Sequence, residues 1–594
     1  MEPAGETMKA LIYERLRPKM ESLFWRTAQG GSDFVMEGVS VYNERAQFVG
    51  GKVINMSCYV VLEFLRGTPD WQKGLETLKS VISMVSELPM ETWGILNGIT
   101  GLYRLKTAGL LEEAVEKETM ESLKKSLDWR TFVDIDDHYR LIGKPANYYG
   151  VAFGIAKYRE LMGWENEGHS RVLLDRLMEH IHQYSGELGY MDETAGDGRF
   201  DRYSILIPGE MISLIMATGM EAPEKLRSML RSSAEIFLHL AGEKGLGFAY
   251  GRSIGAYGDT AALEVLSAAA EAGSVYIGEE AEIAYGYSVR LMETMMDFWY
   301  DSDMQSVNMW EKGRRTDGYR NKNRILGENM SLFMQMVNTY EHWARAGWEE
   351  REVSPELGRM LEGIEKHCFV RFAKGEYERG LAIVRDRGHV WSLPLIGGGK
   401  KYYATDPYLP IPQENLVLDQ VPDLNHGNLV PELVMKDGRV LRPICYMKEI
   451  RTEERDGTFT VTYSQDEMCL MGGERPETGA GVKSVTRYTF EPGRIRRKDE
   501  FFVAPEASVE RIRLTQLVYS SRAKVLEEEK RVIFGHGEVK SLTASGYDAC
   551  RVEKTGENGD FDTPRGRLET KVTWETRESC HGEKLAVEWS LEYI

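Results

Sequence analysis

The chain has 594 residues, 42% hydrophobic and 28% charged, a balance that supports a large buried core in a chain too long for one ordinary domain. Its formal charge of −19 argues against nucleic acid, because phosphate binding needs clustered Lys and Arg, and a polyanionic ligand would have to meet a local basic pocket. No stretch approaches the apolar length of a membrane span, and Met1–Arg17 lacks the charged, apolar, small-residue order of an export signal, so no membrane partner and a cytoplasmic address are expected.

From Met8 to about Gly363 apolar residues recur at three- and four-residue spacing, which predicts helices over Val53–Arg66, Gly74–Ser86, Trp93–Leu105, Glu112–Leu127, Tyr148–Met162 and Ser170–Tyr184. Arg202–Met216, Lys225–Leu240, Asp259–Ala272, Glu279–Trp299 and Glu328–Ala346 continue the series. This is about a dozen helices, enough for six inner and six outer helices in a closed ring. After Cys368 the pattern shortens and alternates, predicting strands at Leu381–Arg385, Val390–Leu395, Thr458–Tyr463, Val482–Phe490, Ile495–Val503, Val509–Leu517, Arg531–Phe534, Leu568–Trp574 and Leu585–Tyr593. Turns such as Glu491-Pro492-Gly493 separate them, so an antiparallel β-sandwich is expected. The fold class is therefore α+β and multidomain, with residues 1–367 an (α/α) toroid and 368–594 the sandwich.

Six cysteines (Cys58, Cys368, Cys445, Cys469, Cys550, Cys580) carry no CxxC pairing, and neither a zinc site nor a disulfide framework is indicated. No HExxH, Walker or dinucleotide fingerprint stands out, so no metal and no cofactor is expected. His180 and His182 lie two apart on a helix and face different directions. Many of the 12 Trp and 29 Tyr sit beside Gly, Asp, Asn and Arg, a placement that suits a sugar-lined cleft, although ordinary core packing accounts for most.

Four loop-to-helix junctions concentrate the chemistry. In Lys144-Pro145-Ala146-Asn147-Tyr148, Asn147 occupies a capping position, or offers an amide to a sugar carboxylate beside Tyr148. The stretch from Tyr190 to Tyr203 holds Asp192, Glu193, Asp197 and then Asp201, Arg202 and Tyr203, an acid, a carboxylate clamp and a phenol within one turn. From Phe248 to Asp259, glycines let the backbone approach a ligand, while Tyr250, Arg252 and Tyr257 can face a cleft and Asp259 can cap the next helix. The fourth, Arg314–Arg324 with Tyr319, is a basic cluster in an acidic chain and can supply a local positive field. The stretch holding Tyr402, Tyr403, Asp406, Tyr408, Asn425 and His426 is expected to fold back over the ring mouth and enforce exo-action.

The domain order and these junctions resemble the heparinase II/III-like and alginate-lyase-like enzymes, which pair an (α/α) toroid with an antiparallel sandwich. More closely, Gly198-Arg199-Phe200-Asp201-Arg202-Tyr203 and Tyr250-Gly251-Arg252-Ser253 are similar to the "FDYY" and "GRS" signatures of a bacterial family that is itself similar to β-glucuronidase-type glycoside hydrolases. The resemblance implies cleavage of a uronate-containing oligosaccharide or polysaccharide. Where many such lyases carry a Tyr-His pair, Arg202-Tyr203 stands here without histidine.

Two mechanisms fit these residues. For hydrolysis, two carboxyls among Asp192, Glu193, Asp197, Asp201 and Asp259 flank the bond while Arg202 and Arg252 hold the uronate. For β-elimination, Asn147 and Arg252 neutralise the carboxylate, and Tyr203 or Tyr257 removes the adjacent proton. The abundance of carboxylates and the missing histidine favour hydrolysis. A non-catalytic glycan-binding protein is the alternative from another class, and association into a homo-oligomer is left open.

Overall fold

The computed structural model describes residues 7–594 apart from 187, 197, 274, 313–319, 376, 398–407, 415–428, 471–475, 478, 480, 519, 555–561, 564–565, 568 and 577–583. Helices fill the N-terminal part. Six of them follow one another around a ring: α1 (Val49–Tyr59), α2 (Thr92–Thr107), α3 (Tyr148–Met162), α4 (Arg202–Ala217), α5 (Ala256–Ala272) and α6 (Ile325–Arg345). Each packs on the next, and α6 returns to α1. Further helices stand outside, Trp71–Ser86 against α1, His169–Tyr184 against α3, Glu224–Leu240 against α4 and Glu280–Thr294 against α5.

Sequence decides which helix goes where. Trp71–Ser86 buries Leu75, Leu78, Val81, Ile82 and Val85, one stripe at helical spacing, and leaves its other face to solvent. By contrast α5 is buried on nearly every side from Ala256 to Ala269, as an inner helix must be. The tightest joint is between α1 and α2. A β-carbon on Gly51 would lie 1.7 Å from the Gly94 carbonyl oxygen, so Gly51→Ala forces the two helices apart.

The last helix ends at Glu362, and the β region opens with β1 (His367–Ala373), β2 (Arg379–Asp386) and β3 (His389–Leu395), a three-stranded antiparallel sheet. Its two faces have different neighbours. Leu381 and Ile383 join the helical core, whereas Ala382 and Val384 join the core of the β region, so this sheet welds the two halves together. Beyond it stand an antiparallel seven-stranded and an antiparallel eight-stranded sheet, whose buried residues (Leu433, Ile512 and Trp574 of one, Val461, Phe501 and Trp589 of the other) share one hydrophobic cluster. The expected turn at Pro492-Gly493 is present, with Glu491 paired to Arg494 across it.

No described helix is long and apolar enough to cross a membrane. The five described cysteines are free thiols, and among the described residues no three His, Cys, Asp or Glu are grouped to hold a metal.

Candidate active site

The N-terminal ends of α3, α4 and α5 bring three of the four junctions together. Asp201 caps α4, accepting a hydrogen bond from the Tyr203 amide at 3.0 Å. Its other oxygen accepts from Arg252 Nε at 2.9 Å and from the Tyr408 hydroxyl at 2.7 Å. Close approach of the two loops demands glycine at 251, where φ is +79° and a β-carbon would lie 2.6 Å from that of Asp201. Arg252 also pairs with the buried Glu193, which takes a further bond from Arg199 Nη1 at 3.2 Å. The guanidinium stands 4.3 Å from the centre of the Tyr203 ring.

Tyr203 is half-buried, and its phenol is surrounded by cations. It donates to Ser253 Oγ at 3.2 Å and accepts from Arg320 Nη2 at 3.4 Å, while Arg202 lies 5.1 Å from its ring. Ser253 is fully buried with φ +53°, a strained backbone kept where the hydroxyl serves the phenol. Arg320 reaches on to Glu328 at 3.0 Å and stacks 3.8 Å from the Tyr257 ring centre.

Asn147 does not cap α3; no amide of that helix bonds to its side chain. It is 6% exposed, and its side-chain carbonyl is buried without a hydrogen bond among the described residues. The orphaned atom is an acceptor, which costs about 1–3 kcal/mol to leave unmade and which a donor such as a sugar hydroxyl would complete. An oxyanion could bond only to the NH2 of the same amide. Beside it Tyr148 is half-buried, 6.4 Å from Trp93 and under Lys144, a flat face at the rim.

Several expected site residues instead hold the scaffold. Asp192 staples its loop, accepting from Thr194 N at 2.9 Å and Gly198 N at 2.8 Å. Asp259 neither caps a helix nor faces the cleft: α5 already starts at Ala256, and Asp259 binds Gly247 N at 2.7 Å and Trp299 Nε1 at 2.6 Å. Burial pushes its carboxyl up to about 7. Arg202, 2% exposed, donates from Nε to the Tyr257 carbonyl at 2.8 Å and is no substrate clamp. Tyr250 is fully buried against Phe248. Tyr257 is buried and donates to Glu328, and burial drives its phenol far above the ordinary range, so it is no base. His180 is occupied with the Asp192 carbonyl at 2.9 Å. Asp197, Tyr319, Arg314 and Arg315, Tyr402, Tyr403, Asp406, Asn425 and His426 lie outside the described residues. Of the segment expected to return to the ring mouth, Tyr408 is described and donates to Asp201.

Glu210 and Glu264 went unnoticed in the sequence because they sit inside helices. Each stands seven residues after a site tyrosine, Tyr203 on α4 and Tyr257 on α5, and so shares its helix face two turns along. Glu328 and Gln335 repeat the interval on α6. Burial, and for Glu264 the charge of Glu210, push these carboxyls up to about 7 and about 8, against the pull of Arg202 and Arg320. A small pocket lies elsewhere, behind the 247–249 backbone and lined by Leu240, Lys244, Val390 and Glu414; neither Tyr203 nor Arg252 lines it.

No family model and no curated protein matches this chain. Among solved structures, a chondroitinase AC lyase described with bound oligosaccharides aligns over 99% of this chain and 83% of its own, at 9% identity and a TM-score of 0.50. The two share a fold. Heparan sulfate lyase HepC from Pedobacter heparinus (8% identity, 88% and 76% covered, TM-score 0.28) also aligns. So does an unsaturated glucuronyl hydrolase from Bacillus sp. GL1 (10%, 57% and 99%, TM-score 0.38). Neither adds to the fold argument.

Proposed function

We propose that this chain is an enzyme that cleaves the glycosidic bond at a uronic acid of an oligo- or polysaccharide by β-elimination, with Tyr203 as the proton-transfer group. Residues 1–367 form the toroid that carries the site, and 368–594 the sandwich that closes one side of it. The observation that carries this is a half-buried phenol ringed by Arg202, Arg252 and Arg320, because nearby positive charge favours a phenolate. A substrate carboxylate hydrogen-bonded by the Asn147 amide would make the adjacent C5 proton acidic. The phenolate takes that proton, the C–H electrons become the C4–C5 double bond, and the C4–O bond breaks. The phenol then returns the proton to the leaving oxygen. The fold shared with a chondroitinase lyase supports the same class of substrate.

Hydrolysis has one observation in its favour, the buried carboxyls of Glu210 and Glu264, which burial pushes up. Two helical turns separate Glu210 from Tyr203, about 10 Å, so that pair does not reach a bond held at the phenol. The described carboxylates nearer the mouth, Asp192, Glu193 and Asp201, are already engaged by amides and arginines.

Digestion of glucuronate-containing oligosaccharides tests the choice. Elimination gives an unsaturated, ultraviolet-absorbing product without added water, and Tyr203→Phe should lower turnover on the order of 10³-fold with little change in thermal stability. A saturated uronic acid carrying the mass of water, or a fully active Tyr203→Phe protein, overturns it.

A further inference from the structure

Lys52, on the inward side of α1, has no part in the chemistry above, yet it is 6% exposed. Its ammonium makes no hydrogen bond or ion pair with any described residue. It sits 5.8 Å from the centre of the Phe48 ring and against Gly327, where a β-carbon would come 3.7 Å from Nζ. Leaving a charge in that condition costs several kcal/mol, and a methionine of similar length would avoid the cost. Burial drags the ammonium down to about 8 even though Glu328 pulls it up.

The surroundings do not supply the missing charge. Arg320 and Arg324 both pair with Glu328, at 3.0 Å each, and Arg324 lies 5.0 Å from the same Phe48 ring. Three cations thus gather about one carboxylate, which they hold near 2 despite its burial. An ammonium buried without an acceptor in low dielectric is a strong attractor for an anion. Arg320 also touches the Tyr203 hydroxyl, so the cluster is continuous with the site.

We propose that Lys52, with Arg320 and Arg324, forms a second anion subsite that takes an oxyanion substituent, a sulfate ester or a second carboxylate, on the sugar next to the one at Tyr203. This assignment to a sugar rests on the glycan reading above; the affinity of the cluster for an oxyanion does not. The substituent supplies the acceptor oxygens that Lys52 lacks, and it sets which glycans fit.

Thermal unfolding of the whole chain in sodium sulfate, against sodium chloride at equal ionic strength, tests the cluster without any turnover. Wild type should gain a saturable rise in Tm, distinct from the linear rise that sulfate gives any protein by exclusion. Lys52→Met should match or exceed wild type in chloride and lose the saturable part. No saturable rise in wild type, an undiminished one in the variant, or a chloride Tm well below wild type (the mark of a merely structural lysine) overturns the proposal. Should Lys52→Met not fold, Lys52→Gln and sulfate-soaked wild-type crystals answer the same question, with density at Nζ expected. If sulfate binds but no uronate glycan is turned over, the function falls and the subsite stands. If glycans are turned over, Lys52→Met should raise KM roughly tenfold or more only for those carrying the extra anion, and sulfated against carboxylated oligosaccharides distinguish the two substituents. An equal KM change for glycans with and without it removes the specificity role.

Discussion

The charged groups in the loops before α4 and α5 differ from those inside the helices. Asp192 and Asp201 in the loops, and Asp259 in the first turn of α5, have their oxygens engaged by backbone amides, an indole, an arginine and a phenol. Within the ring, Glu264 has a buried oxygen with no hydrogen bond among the described residues, burial pushes the Glu210 and Glu264 carboxyls up, and Lys52 has no ion partner among the described residues. Loop carboxylates beside glycine look like chemistry in a sequence but here build the loops. Helical charges look like solvated faces but here remain unsatisfied, as groups kept for function tend to be.

The largest effect should come from breaking the engaged set. Asp201→Ala removes a helix cap and leaves Arg252 and Tyr408 short of an acceptor, a loss of about 3–5 kcal/mol by analogy with other broken buried pairs. Urea unfolding measures it. A variant with unchanged stability and no turnover would return Asp201 to chemistry and erase the contrast.

The unsatisfied set should answer with the opposite sign. Folded Glu264 keeps its proton to about 8, whereas in the unfolded chain it ionises near the ordinary value of about 4.3. Between those values the native state binds more protons, so stability falls as pH rises. Glu264→Gln deletes that loss: the two proteins should be nearly equal at about pH 4, and the variant more stable by several kcal/mol at about pH 9. A gap independent of pH would mean that Glu264 is already ionised in the fold.

Helical periodicity made the first half legible, and five of the six ring helices were anticipated to within about four residues at each end. The exception, α1, closes in a π-turn over Val60–Leu65 that periodicity reads as more α-helix. Short strands such as Glu432–Met435 escaped because they are too brief to alternate. In the site, Asn147, Tyr203 and Arg252 were legible as polar residues at helix starts. Glu210 and Glu264 were not, since an interval of seven reveals a shared face only once the helices are known to be inner ones. Tyr250 and Tyr257 misled because flanking glycines suggest an open loop, whereas the loop turns Tyr250 inward and Tyr257 is buried in the first turn of α5.

Tyr408 offers the finest test, because it belongs to neither set. It comes from the β region, is buried, and donates to Asp201 beside Arg252. Tyr408→Phe removes the hydrogen bond to an acceptor that keeps two others, so the stability loss should be small, about 1.5 kcal/mol. The effect on turnover separates two roles. If Tyr408 only seats the β region on the ring, kcat and KM stay within about twofold of wild type. If it fixes the charge on Asp201, and through it the guanidinium over Tyr203, kcat falls several-fold at unchanged KM, and the alkaline limb of the rate profile shifts with it. A shift in KM alone would instead make the segment around Tyr408 part of the wall that sorts substrates by length.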